Sequence, residues 1–140
     1  MNNNLYIVWG EKNNIGIPII DEQHRGLIST INSLYSYIHI GLGDQNINSI
    51  LNILEHYTDV HFKTEEALMR KASYPALKDH IALHKELRDK TEKYSISADL
   101  HEDSILLLKF LKEWWLDHIN KEDRKYEPFV KKLIEIKNNS

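Results

Sequence analysis

Ile20, His24, Leu27, Ile31, Leu34 and Ile38 recur at spacings of four, three, four, three and four. That is the period of one buried face of an α-helix, and it constrains the fold more than any other feature of the chain. The rhythm returns three times. Ile47, Ile50, Leu54, Tyr57, His61, Glu65 and Leu68 form a second stripe. Leu77, His80, His84, Leu87 and Thr91 form a third, and Ile105, Leu108, Leu111, Trp115 and His118 a fourth. Polar or helix-breaking stretches separate them: "HIGLGDQN" at 39–46, "KASYPA" at 71–76 and "SISADLHED" at 95–103. Only three prolines occur in the chain, so long helices are permitted.

Pro18 and Asp21 mark the first helix start, with Asp21 as its cap. The segment "YEPFVKKLIEIKNN" predicts a short helix after Pro128. Residues 1–17 read as an arm. Its "LYIVW" patch has strand propensity but no partner strand, so packing along the helices is expected. The prediction is an all-α chain, an antiparallel up-down four-helix bundle over about 18–123. The N-terminal arm is 1–17 and the C-terminal segment 124–140, all in one domain of 140 residues.

Composition narrows the function. A net charge of -3 gives no basic face for nucleic acid, and no apolar run reaches the ~20 residues of a membrane span. No signal peptide is visible at the start, so a cytoplasmic protein is expected. With modest charge and no spare apolar stripe, a monomer is expected as well. The chain has no cysteine, which excludes disulfides, thiolate metal sites and iron–sulfur clusters. Any metal must be held by imidazole nitrogen and carboxylate oxygen.

Eight histidines invite that question. His24, His61, Glu65, His80, His84 and His118 all fall on stripes that should face the core. Buried polar groups without partners cost roughly 1–3 kcal/mol each, against a net stability of about 5–15 kcal/mol for a whole domain. Six of them need a strong common partner, and a metal centre supplies one. His39, His56 and His101 lie off this layer and read as solvated or packing histidines. One more carboxylate comes from "DHINKEDRKY". Glu122 is four residues after His118 and shares its face on a regular helix. Asp123 is five after, about 140° away, and reaches the same place only if the helix widens, as at a π-bulge. Spacing alone leaves the two open.

"DEQHRGL", "HFKTEEALM", "HIALH" and "HINKEDRKY", in this order, resemble the motifs of hemerythrins, especially their single-domain bacterial members. The resemblance runs from Trp9 to about Tyr126. It implies a non-haem di-iron site with His24, His61, Glu65, His80, His84, His118 and Asp123 as ligands. The fifth residue after the last histidine is the family's ligand, which selects Asp123 over Glu122. It also implies an oxo or hydroxo bridge beside the two bridging carboxylates. Counting ligands, His80, His84 and His118 complete six-coordination at one iron, while His24 and His61 leave the other one short, where dioxygen could bind.

The implied function is reversible dioxygen binding for storage, transport or delivery, with no catalytic residues and no enzyme activity. Phe62, Trp115, Leu116 and Ile119 could supply a dry pocket. Trp114 is expected nearer the surface, Met69 fills space, and Glu66 reads as part of a solvated face. Three alternatives compete. A di-iron oxidase or iron store would use Glu-x-x-His pairs, and the chain has none. An oxygen or redox sensor would work through a partner protein. A zinc site usually needs only four ligands.

Overall fold

The computed structural model describes residues 5–40, 43–96 and 101–139, with the side chains of 43–46, 95, 96 and 101–103 outside the description. Among the described residues there are five α-helices: α1 (Pro18–His39), α2 (Gly43–Lys71), α3 (Leu77–Ile96), α4 (His101–Asp117) and α5 (Asp123–Asn138). A π-helical turn, His118–Glu122, joins α4 to α5 without a break in direction. No strand occurs among the described residues.

Residue pairs fix the direction of each helix. Gln23 meets Thr64 and Gly26 meets Tyr57, so α1 and α2 run antiparallel. His84 meets Glu66 while Arg88 meets Asp59, and Lys90 packs on Trp114 while Tyr94 stacks on Phe110. α3 therefore opposes both α2 and α4. Contacts between α4 and α1 close the ring. The result is the expected up-down bundle with a further helix continuing from the fourth.

The first stripe is buried as expected, from Ile20 through Ile38. Three details differ from the sequence reading. Ile105 is 50% exposed, and Ser104 and Leu107 face inward beside the expected Leu108 and Leu111. The apolar run 105–108 satisfies more than one helical phase, so packing had to choose. On α2, Met69 rather than Leu68 is fully buried, as space-filling core. α5 begins at Asp123, not after Pro128. Because it continues from the π-turn it needs no fresh start, and Pro128 sits exposed within it.

Asp21 does not cap α1. Pro18 occupies the first helical position, which places Asp21 already inside the helix. Its carboxylate instead accepts the backbone N–H groups of Ile15 and Gly16, at 2.8 and 3.1 Å. Gly16 turns the arm with φ +84°, a conformation L side chains avoid. The arm is not a strand. Ile7 is buried, and its N–H and C=O both pair with the Asn32 side chain on α1. Glu11–Asn13 forms a 3-10 turn, and Asn13 Nδ2 donates to Asn120 Oδ1 in the π-turn at 2.8 Å.

The buried apolar residues form two clusters. One holds Leu27, Ile31, Leu54, Phe62, Leu87, Leu111, Trp115 and Ile119; the other holds Ile15, Ile17, Ile20, Met69, Tyr126 and Val130. On α1, His24 falls between Ile20 and Leu27. On α2, His61 and Glu65 fall between Leu54 and Met69. On the last arm of the bundle, His118 and Asp123 fall between Trp115 and Tyr126. A polar layer thus crosses the bundle between two apolar ones.

Candidate metal centre

That layer is dry. His24, His61, Glu65, His84 and Asp123 are fully buried, and His80 and His118 are 3% and 4% exposed. α1 contributes His24, α2 contributes His61 and Glu65 one turn apart, and α3 contributes His80 and His84 in the same way. The π-turn gives the last pair. Its wider turn brings Asp123, five residues after His118, onto the face of His118. Asp123 Oδ1 lies 3.1 Å from His118 Nε2. Glu122 points away and pairs with Lys125 on the surface.

The donor atoms gather in two groups, each within 4.8 Å across: His80, His84, His118, Glu65 and Asp123, and His24, His61, Glu65 and Asp123. Both carboxylates belong to both groups. His24 Nε2 lies 2.9 Å from Asp123 Oδ2 while His80 Nε2 lies 3.1 Å from Oδ1, so the two oxygens of Asp123 face opposite groups. Glu65 reaches both groups too, Oε1 beside His61 and 3.9 Å from His84 Nε2, and Oε2 3.6 Å from His80.

The electrostatics agree with a centre that wants cations. Burial and the neighbouring Asp123 both push the Glu65 carboxyl up, yet His61 and His80 outweigh them and hold it at about 2. Burial likewise opposes ionisation of Asp123, but His118, His24 and His80 hold it well below the usual range. Burial pulls His80 down, and Asp123 and Glu65 reverse this to about 9. His84, dominated by burial, falls to about 3. Each of the seven side chains keeps at least one buried nitrogen or oxygen with no hydrogen-bond partner. Two cations held between these atoms satisfy that set, so the residues present fit a pair of metal ions.

Neighbours set the histidine tautomers. His61 Nδ1–H donates to Gln23 Oε1, and His84 Nδ1–H donates to Glu66 Oε2, both at 2.8 Å. Each bond leaves Nε2 as the free lone pair facing the layer. Glu66 therefore touches the centre, against the expectation of a solvated face. It sits at the rim, where a carboxylate can be part solvated and still reach an imidazole. Gln23 was not singled out by the sequence either, although its place beside His24 is a usable signal. Tyr126, also unforeseen, is fully buried, and its phenol is pushed well up by burial and then by the Glu65 and Asp123 charges. Phe62, Trp115 and Ile119 wall the layer at 0% exposure, whereas Leu116 is only half-buried. Phe62 stacks on His84 at 3.7 Å and 7°. Trp114 is half-buried, nearer the surface as expected. His39 and His56 are exposed, and the side chain of His101 lies outside the described residues.

A family model described as the hemerythrin HHE cation binding domain matches residues 15–130, most of the chain and all seven of these side chains. The chain belongs to the hemerythrin family. Among curated relatives, it is 32% identical over 126 residues to a bacteriohemerythrin of Stenotrophomonas maltophilia, covering 89% of this chain and 82% of that one. It is 31% identical over 127 residues to a bacteriohemerythrin of Pseudomonas aeruginosa, with 90% and 82% coverage. It is 29% identical over 120 residues to a hemerythrin of Sipunculus nudus, with 86% and 90% coverage. Crystal structures of hemerythrin point mutants share the fold, with a TM-score of 0.76 at 24% identity over 90% of this chain and 98% of theirs. As in the hemerythrin motif, the layer is histidine-rich, and no described helix is long and apolar enough to cross a membrane.

Proposed function

We propose that this hemerythrin binds dioxygen reversibly at a non-haem di-iron centre held by His24, His61, Glu65, His80, His84, His118 and Asp123, as a carrier or store rather than an enzyme. The observation that carries the reading is the pair of ligand groups sharing Glu65 and Asp123, with three histidines on one side and two on the other. The shared carboxylates would hold two ions close together. The unequal histidine count leaves the His24 and His61 side one protein ligand short, which is where an exogenous ligand would bind. Held by these seven side chains, a ferrous pair would supply the two electrons that dioxygen takes up on binding and gives back on leaving.

The chain's own residues make that exchange reversible. Gln23 and Glu66 hold His61 and His84 in one tautomer, so the ligand set does not reorganise. Phe62, Trp115 and Ile119 exclude water, which limits loss of a charged ligand to solvent and irreversible oxidation. Five imidazoles are neutral donors and favour the ferrous state, as a carrier requires. The test is an elemental count on protein purified with iron available, followed by visible spectra of the reduced protein through oxygenation and deoxygenation. Two irons per chain and a band that appears with oxygen and disappears on its removal are expected. A single iron, or uptake that cannot be reversed, defeats the proposal.

A further inference from the structure

Trp115 carries a polar atom that the metal centre does not explain. Its indole is fully buried, and its Nε1–H has no hydrogen-bond partner. The unpaired nitrogens and oxygens of the seven ligand side chains are accounted for by cations. An indole nitrogen is not, because its lone pair belongs to the ring and its proton is not released, so it is a donor only. A buried donor without an acceptor costs free energy that a core position could avoid with Phe or Leu. Three other unpaired atoms sit differently, and one of them, the Tyr126 hydroxyl, lies beside the Glu65 carboxylate, an acceptor already at hand. Trp114 is half-buried under Lys90 at the surface, and Thr58 lines a polar cleft of about 250 Å³ with Glu55, Arg88 and Thr91. The extra nitrogen of His24, Nδ1, has the Trp9 ring beside it, 6.0 Å between centroids.

Trp115 instead reaches the ligand layer through Phe62. It precedes His118 by three residues, one turn back on the same helical face. Its ring stacks on Phe62 at 5.5 Å and 21°. Phe62 in turn touches histidines of both ligand groups: His84 at 3.7 Å, His61 at 6.0 Å and His118 at 6.3 Å between ring centroids. The indole is thus part of the buried wall beside the centre, and its donor is unused by any protein acceptor.

We propose that Trp115 Nε1–H is the hydrogen-bond donor to the small exogenous ligand of the metal centre, and that it selects ligands whose outer atom carries negative charge. The inference rests on the di-iron reading above and deepens it. The otherwise apolar wall holds one N–H, strengthening retention of a charged ligand without admitting water. A neutral ligand with a weak outer acceptor gains nothing from it.

The probe is azide, added to the oxidised, iron-loaded full chain. Ultraviolet resonance Raman spectra read the indole N–H marker with and without azide. One of the three tryptophan signals shifts to the hydrogen-bonded position on azide addition. The shift persists in Trp114→Phe and is lost in Trp115→Phe, which keeps the stacked ring and removes only the N–H. The azide dissociation constant rises about tenfold in Trp115→Phe, the scale of a hydrogen bond to a charged acceptor, and stays put in Trp114→Phe. Two irons per chain and a visible azide band with an unshifted indole marker in the wild-type protein overturn the Trp115 assignment alone, whether or not the variant folds. Fewer than two irons overturns it together with the di-iron reading.

Discussion

His61 and Glu65 stand four residues apart on α2, while His118 and Asp123 stand five apart where α4 passes into α5. Both pairs deliver an imidazole and a carboxylate to the same layer, by different means. On α2 the regular helix does it, since positions four apart share a face. At the α4–α5 junction the helix must widen by one residue, and a π-turn, rarer than a regular α-turn, has to be held. The supports differ accordingly. The α2 pair is braced by one hydrogen bond near the rim, from His61 to Gln23. The π-turn is braced by the arm: Asn13 donates to Asn120, and Arg124 donates to the carbonyls of Lys12 and Asn14. A shared carboxylate can therefore come from ordinary secondary structure or from a distortion that tertiary contacts maintain.

The largest test removes the shared groups themselves. Glu65→Ala and Asp123→Ala should each lower bound iron from two per chain to one or none by elemental analysis. Two irons retained in either variant would detach that carboxylate from the centre. Next come the braces of the two histidines. Gln23→Ala and Glu66→Ala are each expected to weaken metal affinity about 10- to 100-fold in chelator competition, because a freed imidazole must be reoriented. Unchanged affinity would mean that packing alone orients those rings.

Smaller effects separate packing from chemistry. Gly26 lies against Tyr57, and a Cβ there would overlap the phenol. Gly26→Ala should cost about 1–3 kcal/mol, read from the urea midpoint, while iron content is kept. Asn13→Ala removes the tie between the arm and the π-turn and leaves Asn120 Oδ1 unpaired, a loss of about 1–2 kcal/mol by the same measurement. A midpoint that does not move would show that the π-turn stands without the Asn13–Asn120 tie. Glu122→Gln should do least, under about 0.5 kcal/mol with two irons retained, since Glu122 meets only Lys125 at the surface. Loss of iron in that variant would reverse the assignment of the junction.

Much of the bundle was legible because helical period and burial are the same information read twice. The first stripe shows this, with every residue from Ile20 to Ile38 on it buried in the phase its spacing implies. The fourth shows the limit, since an unbroken apolar run carries no phase and Ile105 was turned outward by packing. Glu66 and Gln23 were obscured for a related reason. Both sit beside the buried stripe, where sequence reads solvent, and only the crossing of neighbouring helices brings a ligand histidine within 2.8 Å.

What the sequence by itself determined is the set of helices and the face each presents. Local spacing places histidines and carboxylates on inward stripes, and the backbone's period of about 3.6 residues needs no long-range contact to do so. What the tertiary structure decided is the choice between Glu122 and Asp123, the two-sided sharing of the carboxylates and the tautomer each brace imposes. These depend on a widened turn and on side chains from different helices meeting. Their energies come from contacts between residues far apart in the chain, which no single stretch of sequence contains.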